Sequence, residues 1–212
     1  MSDITVDLQA TFWSPVGTLR FPALVKPTLD LSKNEVWTCG IQCSLEDSDE
    51  MLAIVEASLV DARRRLPQFP KTDKFKDARG REDFLNMPYR QATRKEGDQV
   101  IPIDGVLQWS FKRKTVTSKG AQASPPTILD PRGTIVVNPP EIGYGSVGRV
   151  AFKVFAYDNA SKGIGFYLVG AQISRLADAG LGGADAIEGD WDPASSGTSG
   201  SSGGFDTDEM PF

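Results

Sequence analysis

The segment 149–157 alternates apolar side chains with cations and aromatic rings, a pattern with a direct chemical use. As a strand it turns its apolar set toward a core, because successive side chains point to opposite faces. Ring faces can stack on unpaired nucleotide bases while cations follow the phosphates. The alternative is a strand buried on both sides, with charges only at its ends. The first interpretation assigns nucleic-acid binding to Arg149, Lys153, Phe155 and Tyr157.

A second group of cations ends a strand-like segment, residues 106–116. Trp109 and Phe111 share a face with Leu107, so both rings are expected in the core. The run that follows sits at the strand's end and can reach phosphates without being buried. A solvated loop tip is the competing interpretation. The candidate residues of this run are Lys112, Arg113 and Lys114.

A third group lies in a proline-containing connector, residues 67–104, which reads as a long ordered loop of the kind that is commonly functional. Its cations are interleaved with aromatic residues, which suits tracking along a nucleic-acid backbone. The glycine-rich segment 143–148 lacks the Gly-Lys-Ser/Thr ending of a phosphate loop and is better explained as a turn or barrel corner. These two segments add the candidates Arg79, Arg81, Tyr89, Arg90 and Tyr144.

The composition excludes several common kinds of catalytic site. Histidine is absent, which removes imidazole metal sites and catalytic triads. Cys39 and Cys43 are the only cysteines, and both fall on the predicted inward face of a strand, where apolar packing is expected. No pair of carboxylates has the spacing of a nuclease site. We therefore expect no catalysis, no metal and no cofactor.

The charges are unevenly distributed. Residues 1–176 carry 23 basic and 20 acidic groups, a net +3, whereas residues 177–212 carry eight acids and no base. Residues 60–120 alone hold 15 Lys and Arg against 8 Asp and Glu. The segment 194–204 reads ASSGTSGSSGG, which has no side chain to bury. The sequence predicts one folded domain over 1–176 and a disordered acidic tail over 177–212.

The tail ends on DTDEMPF, an apolar terminus that an unselected solubilising segment has no reason to carry. Acidic residues followed by a proline-stiffened aromatic end are typical of a docking peptide, whose ring fills a pocket while carboxylates meet a basic rim. A merely solubilising tail is the alternative. The candidate partner-binding residues are Asp206, Asp208, Glu209, Met210, Pro211 and Phe212.

The folded part is expected to be mainly β. Strand patterns cover 5–13, 18–25, 36–45, 106–116, 135–138, 149–157 and 164–173, with Pro22 marking an edge or bulged strand. One helix follows the third strand, begins at Asp47 or Ser48 and ends at Pro67. This order predicts an OB-fold-like five-stranded barrel with a long basic insertion and extra strands. A general β-sandwich is the alternative.

The body and the tail together resemble the phage-encoded single-stranded-DNA-binding proteins with an OB fold, comparable to those of the T-odd coliphages. The body resemblance rests on element order and on strands such as FKVFAYDNASKGIGFYLVGAQ. The ending DTDEMPF is similar to the acidic, Pro-Phe-terminated tip of bacterial single-stranded-DNA-binding proteins. The insertion over 67–104 departs from the bacterial proteins, which leaves the oligomeric state open.

The resemblance implies binding and protection of single-stranded DNA in phage replication, recombination or repair, with the tail recruiting phage or host replication proteins. A phage structural or assembly protein whose tail is an interaction peptide is the alternative. The longest apolar runs are only a few residues, and the N-terminus lacks the pattern of a secretory signal. We therefore expect no membrane contact and a cytoplasmic location in an infected bacterial host.

Overall fold

A computed structural model describes residues 10–76, 81–117, 119–158 and 161–177. Within these residues no helix is long and apolar enough to cross a membrane. The helix α1 spans Asp49–Arg65 and follows a short 3₁₀ turn, Glu46–Ser48. The strands are β1 (Phe12–Trp13), β2 (Gly17–Leu29), β3 (Glu35–Ser44), β4 (Lys74–Lys76), β5 (Glu82–Phe84), β6 (Tyr89–Glu96), β7 (Gln99–Lys114), β8 (Thr127–Leu129), β9 (Val147–Asp158) and β10 (Lys162–Arg175).

Five strands form a ring in the order β9, β2, β3, β7, β10, which closes because β10 also pairs with β9. The β7–β10 pairing is parallel, and the other pairings in the ring are antiparallel. β1 adds to β9, β6 to β7 and β8 to β10. The prediction of a mainly β chain with a helix after the third strand is confirmed, and the ring is consistent with an OB-like barrel.

The core fills the inside of the ring and is built around aromatic side chains. Phe152 is fully buried and lies 4.2 Å from Phe166 and 5.3 Å from Phe111 between ring centroids. Trp109 stacks on Phe166 at 5.7 Å, so β7, β9 and β10 meet through one aromatic cluster. The prediction that Trp109 and Phe111 belong to the core is confirmed. Both cysteines are buried and free, as their inward position predicted.

The helix packs one side against β9. Ser48 stands at the predicted N-cap position, but its hydroxyl makes no capping bond. Instead it donates to the Ser44 carbonyl at 2.7 Å and accepts from the Trp109 indole at 3.1 Å. The helix start is therefore fixed by the buried indole, which requires a hydrogen-bond partner. The buried residues of the helix are Met51, Ile54, Val55, Ser58 and Ala62.

The prediction of a long ordered loop over 67–104 is wrong. The segment contains β4, β5 and β6 and the first residues of β7, and β6 forms a hairpin with β7 through Gly97. Gly97 has φ +58, a conformation that glycine adopts without a steric penalty. Most side chains of β6 are exposed, so the strand carries charges on both faces and shows no alternation. Period-two patterns find only strands with one buried face.

The strand predicted over 135–138 is also wrong. Ile135 makes one isolated bridge to Leu129, and Val137 is exposed. The regular strand of this region is β8, three residues that pair with β10. The tight turn at Asp130 closes on Thr134, and the prolines at 139 and 140 carry no N–H to continue a ladder, so the segment between them makes only the isolated bridge. Of the strand predicted over 5–13, residues 5–9 lie outside the described residues, as do residues 1–4 and the whole tail after Ala177.

Candidate nucleic-acid interface

The outward side of β9 carries the cations and rings that the alternation predicted. Val150, Phe152 and Val154 are buried, whereas Arg149 and Lys153 are exposed. Ala151, which shares the outward side, is buried because β1 pairs beside it. The strand is therefore covered by β1 near its middle and open on either side of it.

Phe155 is held flat against the sheet by a glycine in the next strand. Gly165 pairs with Phe155, and a Cβ on that glycine would lie 2.5 Å from the phenyl Cζ. The far end of the ring therefore occupies the space that a side chain at 165 would fill, and 46% of the residue is exposed. A ring that already packs against the sheet before a ligand arrives has less freedom to lose on stacking.

Tyr157 continues the row, with its ring centroid 5.9 Å from that of Phe155. Burial raises the pKa of its hydroxyl, and a hydrogen bond between that hydroxyl and Asn86 opposes the rise. Asn86 in turn donates its backbone N–H to Lys162 and accepts from the N–H of Ile164. The ring of Tyr157 is thus half-buried and tied to the segment that links β5 to the barrel.

Tyr167 joins the first and second predicted groups into one surface. It pairs with Lys153 of β9 on one side and with Lys112 of β7 on the other, so the three side chains stand in one row across three strands. Neighbouring strands lie roughly 4.8 Å apart, which places the two cations on either side of one ring. The cation–aromatic face is defined here as Lys112, Arg149, Lys153, Phe155, Tyr157 and Tyr167.

Lys112 is engaged by a carboxylate from the turn between β2 and β3. Its ammonium nitrogen lies 2.6 Å from Asp30 Oδ2. The bond to Lys112 and the N–H groups of Asn34 and Ser32 hold the pKa of the Asp30 carboxyl at about 2. The Asp30 carboxyl therefore stays ionised at every pH in which the protein is expected to work.

The other two cations of the predicted run 112–114 differ in how far they are buried. Arg113 is half-buried, and its guanidinium lies 5.4 Å from the centre of the Tyr167 ring and 5.8 Å from that of the Trp37 ring. The buried Nε of Arg113 has no hydrogen-bond partner. Lys114 is exposed at the end of β7. Arg113 thus stands beside the cation–aromatic face with one polar atom still unsatisfied.

Trp13 of β1 lies at the Arg149 end of the face. The Arg149 guanidinium stacks 4.6 Å from the centre of the Trp13 ring, and its Nε donates to Gln172 at 2.8 Å. Gln172 is itself fixed by two backbone carbonyls of the loop after β8. Arg149 is therefore oriented by a ring and an amide, and its remaining donors face solvent.

A second aromatic cluster lies on β2. Phe21 is 70% exposed and has φ +47, in the bulge between Arg20 and Ala23 that Pro22 predicted. Its ring meets the Tyr144 ring edge-on at 5.5 Å, and the Arg20 guanidinium covers Tyr144 at 4.3 Å. A non-glycine residue with positive φ is strained, and such strain is concentrated at functional sites.

Arg20 is fixed by a row of amides that crosses the barrel. Its Nε donates to Gln42 at 2.7 Å, and the Gln42 amide donates to Gln108 at 3.2 Å. Partial burial lowers the pKa of Arg20, which remains charged. Arg90 pairs in register with Gln108, so this predicted cation ends the row on β6.

The remaining predicted residues are less closely grouped. Tyr89 is half-buried with its ring 4.8 Å from that of Trp109. Arg81 lies just before β5 on the small β4–β5 hairpin. Arg79 and the tail residues Asp206, Asp208, Glu209, Met210, Pro211 and Phe212 lie outside the described residues.

Sequence reasoning missed Trp13, Arg20, Phe21, Asp30 and Tyr167. Phe166 and Leu168 are apolar and flank Tyr167 in a strand, so period-two alternation places Tyr167 on the outward side. This signal could have identified Tyr167 as a candidate. Phe21 stands beside a proline in a bulge, where no periodic signal exists. In the described part of the chain no group of three His, Cys, Asp or Glu side chains could hold a metal ion.

No protein-family model matches the sequence, and no curated protein matches it. Among solved structures, gp2.5, a single-stranded DNA binding protein encoded by bacteriophage T7, has a TM-score of 0.54 at 18% identity, over 82% of this chain and 90% of that chain. The single-stranded DNA-binding protein from bacteriophage Enc34, in complex with single-stranded DNA, has a TM-score of 0.53 at 11% identity, over 80% and 88% of the two chains. The likeness in fold expected from the sequence is confirmed: this chain has the fold of these bacteriophage single-stranded-DNA-binding proteins.

Proposed function

We propose that the chain binds single-stranded DNA with little sequence preference and without catalysis. The observation that carries the proposal is the row of Lys153, Tyr167 and Lys112 across three strands, next to the Phe155 ring on its glycine support. Every base has a face that can stack on a ring, and every nucleotide has a phosphate that can meet a cation. Such a surface binds the backbone and stacked bases of a single strand and reads little of its sequence.

The position of the cation–aromatic face in the barrel supports the same function. OB folds bind oligonucleotides on the face of their second and third strands and on the loops that join strands one to two and four to five. In the ring described above these strands are β3 and β7, and these loops are the β2–β3 and β9–β10 turns. Lys112 on β7 and Asp30 stand beside the first turn, and Tyr157 stands beside the second. The other residues of the face lie on β9 and β10, so its two ends are the parts that coincide with these OB positions.

The second aromatic cluster extends this surface. Between Lys112 and the Arg20–Tyr144 pair, the outward side chains of β3 and β7 are small, at Thr38, Gly40 and Ser110. A DNA strand can approach the backbone closely over such a floor. The proposed contacts are therefore the cation–aromatic face together with Arg113, Lys114, Arg20, Phe21, Tyr144, Tyr89, Arg90, Arg79, Arg81 and Trp13.

The acidic tail supplies the partner and regulatory part of the proposal. Its eight acids can compete with DNA for the basic surface, and its Pro-Phe end can recruit phage or host replication proteins. The proposed setting is replication, recombination and repair of phage DNA in the cytoplasm of an infected bacterium.

Fluorescence anisotropy with a labelled oligothymidine tests the function directly. We expect binding that weakens steeply between about 50 mM and about 200 mM salt, because bound cations displace counterions from the phosphates. A duplex of equal length is the control, since its bases are not free to stack. No binding of the single strand at micromolar protein would contradict the proposal. Sedimentation into large assemblies that ignore the oligonucleotide would favour the structural role instead.

A further inference from the structure

The ion pair between Asp30 and Lys112 places a carboxylate inside the proposed DNA surface. Asp30 Oδ2 lies 2.6 Å from the Lys112 ammonium, with 13% of the Asp30 side chain and 49% of the Lys112 side chain exposed. The same ammonium is the end member of the row with Tyr167 and Lys153. One cation of the proposed DNA surface is therefore already paired with an anion.

The two partners of this ion pair differ in their freedom to move. Asp30 Oδ1 accepts the backbone N–H groups of Ser32 and Asn34, both at 2.9 Å, and the Asn34 side-chain amide at 3.4 Å. These bonds close the turn between β2 and β3 and fix the carboxylate in place. Lys112 reaches it by a flexible four-carbon stem, so separating the pair requires movement of the lysine alone.

A carboxylate oxygen and a phosphate oxygen offer a lysine the same kind of bond, a charge-assisted hydrogen bond to an anion. A phosphate beside a base stacked on Tyr167 would therefore meet the ammonium that Asp30 holds. We propose that Asp30 occupies the phosphate position of Lys112 in the DNA-free protein, so that each binding event has to exchange one anion for the other. The inference rests on the proposed function and adds a residue that lowers affinity.

The variant Asp30→Asn tests this exchange with little change of shape. Its amide oxygen can still accept the two backbone N–H groups that close the turn, but it carries no charge to hold the lysine. We expect affinity for oligothymidine at low salt to rise roughly two- to fivefold, the range that loss of one partly exposed ion pair corresponds to. The logarithmic slope of the salt dependence should change little, because Lys112 neutralises the same phosphate in both complexes once the exchange is complete.

Lys112→Ala and the double variant separate the pair from a general charge effect. If Asp30 acts through Lys112, Asp30→Asn should raise affinity in the wild-type background and change nothing in the Lys112→Ala background. A rise of equal size in both backgrounds would mean that any removed negative charge helps, and it would overturn the proposal. A fall in affinity for Asp30→Asn would overturn it too, since the carboxylate would then be positioning Lys112 for DNA.

Asp130→Asn is the matched control for the turn. Its Oδ1 accepts the N–H groups of Arg132 and Thr134 in the same arrangement, and in the described part of the chain Asp130 pairs with no cation. We expect this variant to bind DNA as the wild type does. Thermal unfolding of both variants checks that each turn survives. If the wild-type protein does not bind the oligonucleotide, the proposed function is contradicted. If the wild type binds but Asp30→Asn does not raise the affinity, only the exchange at Lys112 is contradicted.

Discussion

Phe155 and Phe152 lie three positions apart on β9 and point to opposite sides of it, so they test the assignment of its two faces. Phe155→Ala removes a ring that is nearly half exposed, and we expect it to weaken DNA binding by about 1–3 kcal/mol with little loss of stability. Phe152→Ala removes a fully buried ring and should cost about 3–5 kcal/mol of unfolding free energy. Anisotropy and urea unfolding measure the two effects. If Phe155→Ala destabilises the protein while the folded fraction binds DNA with unchanged affinity, the two faces of β9 are assigned the wrong way round.

Cys39 gives a pH-dependent prediction at the same scale. Burial raises the pKa of its thiol to about 12, and burial also raises the pKa of Cys43. Since the thiolate is the reactive form, a thiol reagent near pH 8 should label both residues only after unfolding. The folded state keeps a proton that the unfolded chain releases above about pH 8.5, so this contribution to stability is lost as pH rises from there toward 12. Rapid labelling of the native protein would contradict the buried positions.

The sequence predicts individual site residues only where local pattern determines their direction. Lys153 and Phe155 follow from the alternation of one strand. Their connection to Lys112 does not, because it depends on Tyr167 standing between two strands whose pairing is set by the whole barrel. Phe21 faces solvent because it lies in a bulge, and the periodicity of a single strand does not predict the direction of a side chain in a bulge.

At the scale of elements, the segment that follows the β4–β5 hairpin meets the start of β10 in a close backbone contact. Asn86 bridges to Gly163 at the start of β10, and a Cβ on Gly163 would collide with the Asn86 carbonyl. Lys74 and Lys76 of this hairpin are exposed. The bridge therefore holds a basic hairpin, and the Tyr157 hydroxyl bonded to Asn86, at one end of the cation–aromatic face.

Gly163→Ala should loosen the hairpin, and with it the Asn86 bond to the Tyr157 hydroxyl, without substituting any side chain proposed to touch DNA. We expect weaker binding and a shallower salt dependence, by about 0.7 in the logarithmic slope for each phosphate that the hairpin no longer neutralises. Gly170→Ala is the control, because its Cβ would collide in the same way with the Thr127 carbonyl where β8 pairs with β10. Both variants should lower the unfolding temperature, and only the first should lower DNA affinity. Equal affinities would remove the hairpin from the interface.

The elements that the sequence predicts well are those with one buried and one exposed face. β9 and the helix show their periods clearly because each packs one side on the core. β6 and the first half of β7 extend beyond the barrel with most side chains in solvent. β6 therefore carries charges on both faces, and the apolar residues in the first half of β7 are at most half-buried. Their pairing comes from the turn at Gly97 and from backbone hydrogen bonds, which leave little trace in composition.

For the whole molecule, the relevant quantity is the separation of charge between body and tail. The body over 1–176 carries +3, and the tail over 177–212 carries −8. Ala177 is the last described residue, and its N–H donates to Ser146 Oγ at 2.9 Å, two residues from Tyr144. The tail therefore leaves the barrel next to the second aromatic cluster. A chain with the flexibility that its Gly/Ser-rich composition predicts spans roughly 33 Å root-mean-square, and we expect this to be enough to reach the cation–aromatic face.

Deleting residues 178–212 should tighten DNA binding, because tail and phosphates then no longer compete for the same cations. The gain should be largest at low salt and shrink toward about 0.15 M, where charges more than about 8 Å apart are screened. Anisotropy titrations of the full chain and the deletion at several salt concentrations measure it. Equal affinities at low salt would mean that the tail does not visit the surface.

Deleting Phe212 alone is the matched control, since it removes a ring and leaves all eight acids of the tail in place. If competition with DNA depends on charge, this variant should bind DNA as the full chain does. The ring has a different proposed use, because an aromatic end beside acidic residues fits an apolar pocket with a basic rim on another protein. We therefore expect the Phe212 deletion to lose capture of purified replication proteins while keeping its DNA affinity. If the protein without Phe212 still captures replication proteins, the tip is only a solubilising segment. If the deletion changes DNA affinity, the Phe212 ring itself takes part in the competition between tail and DNA.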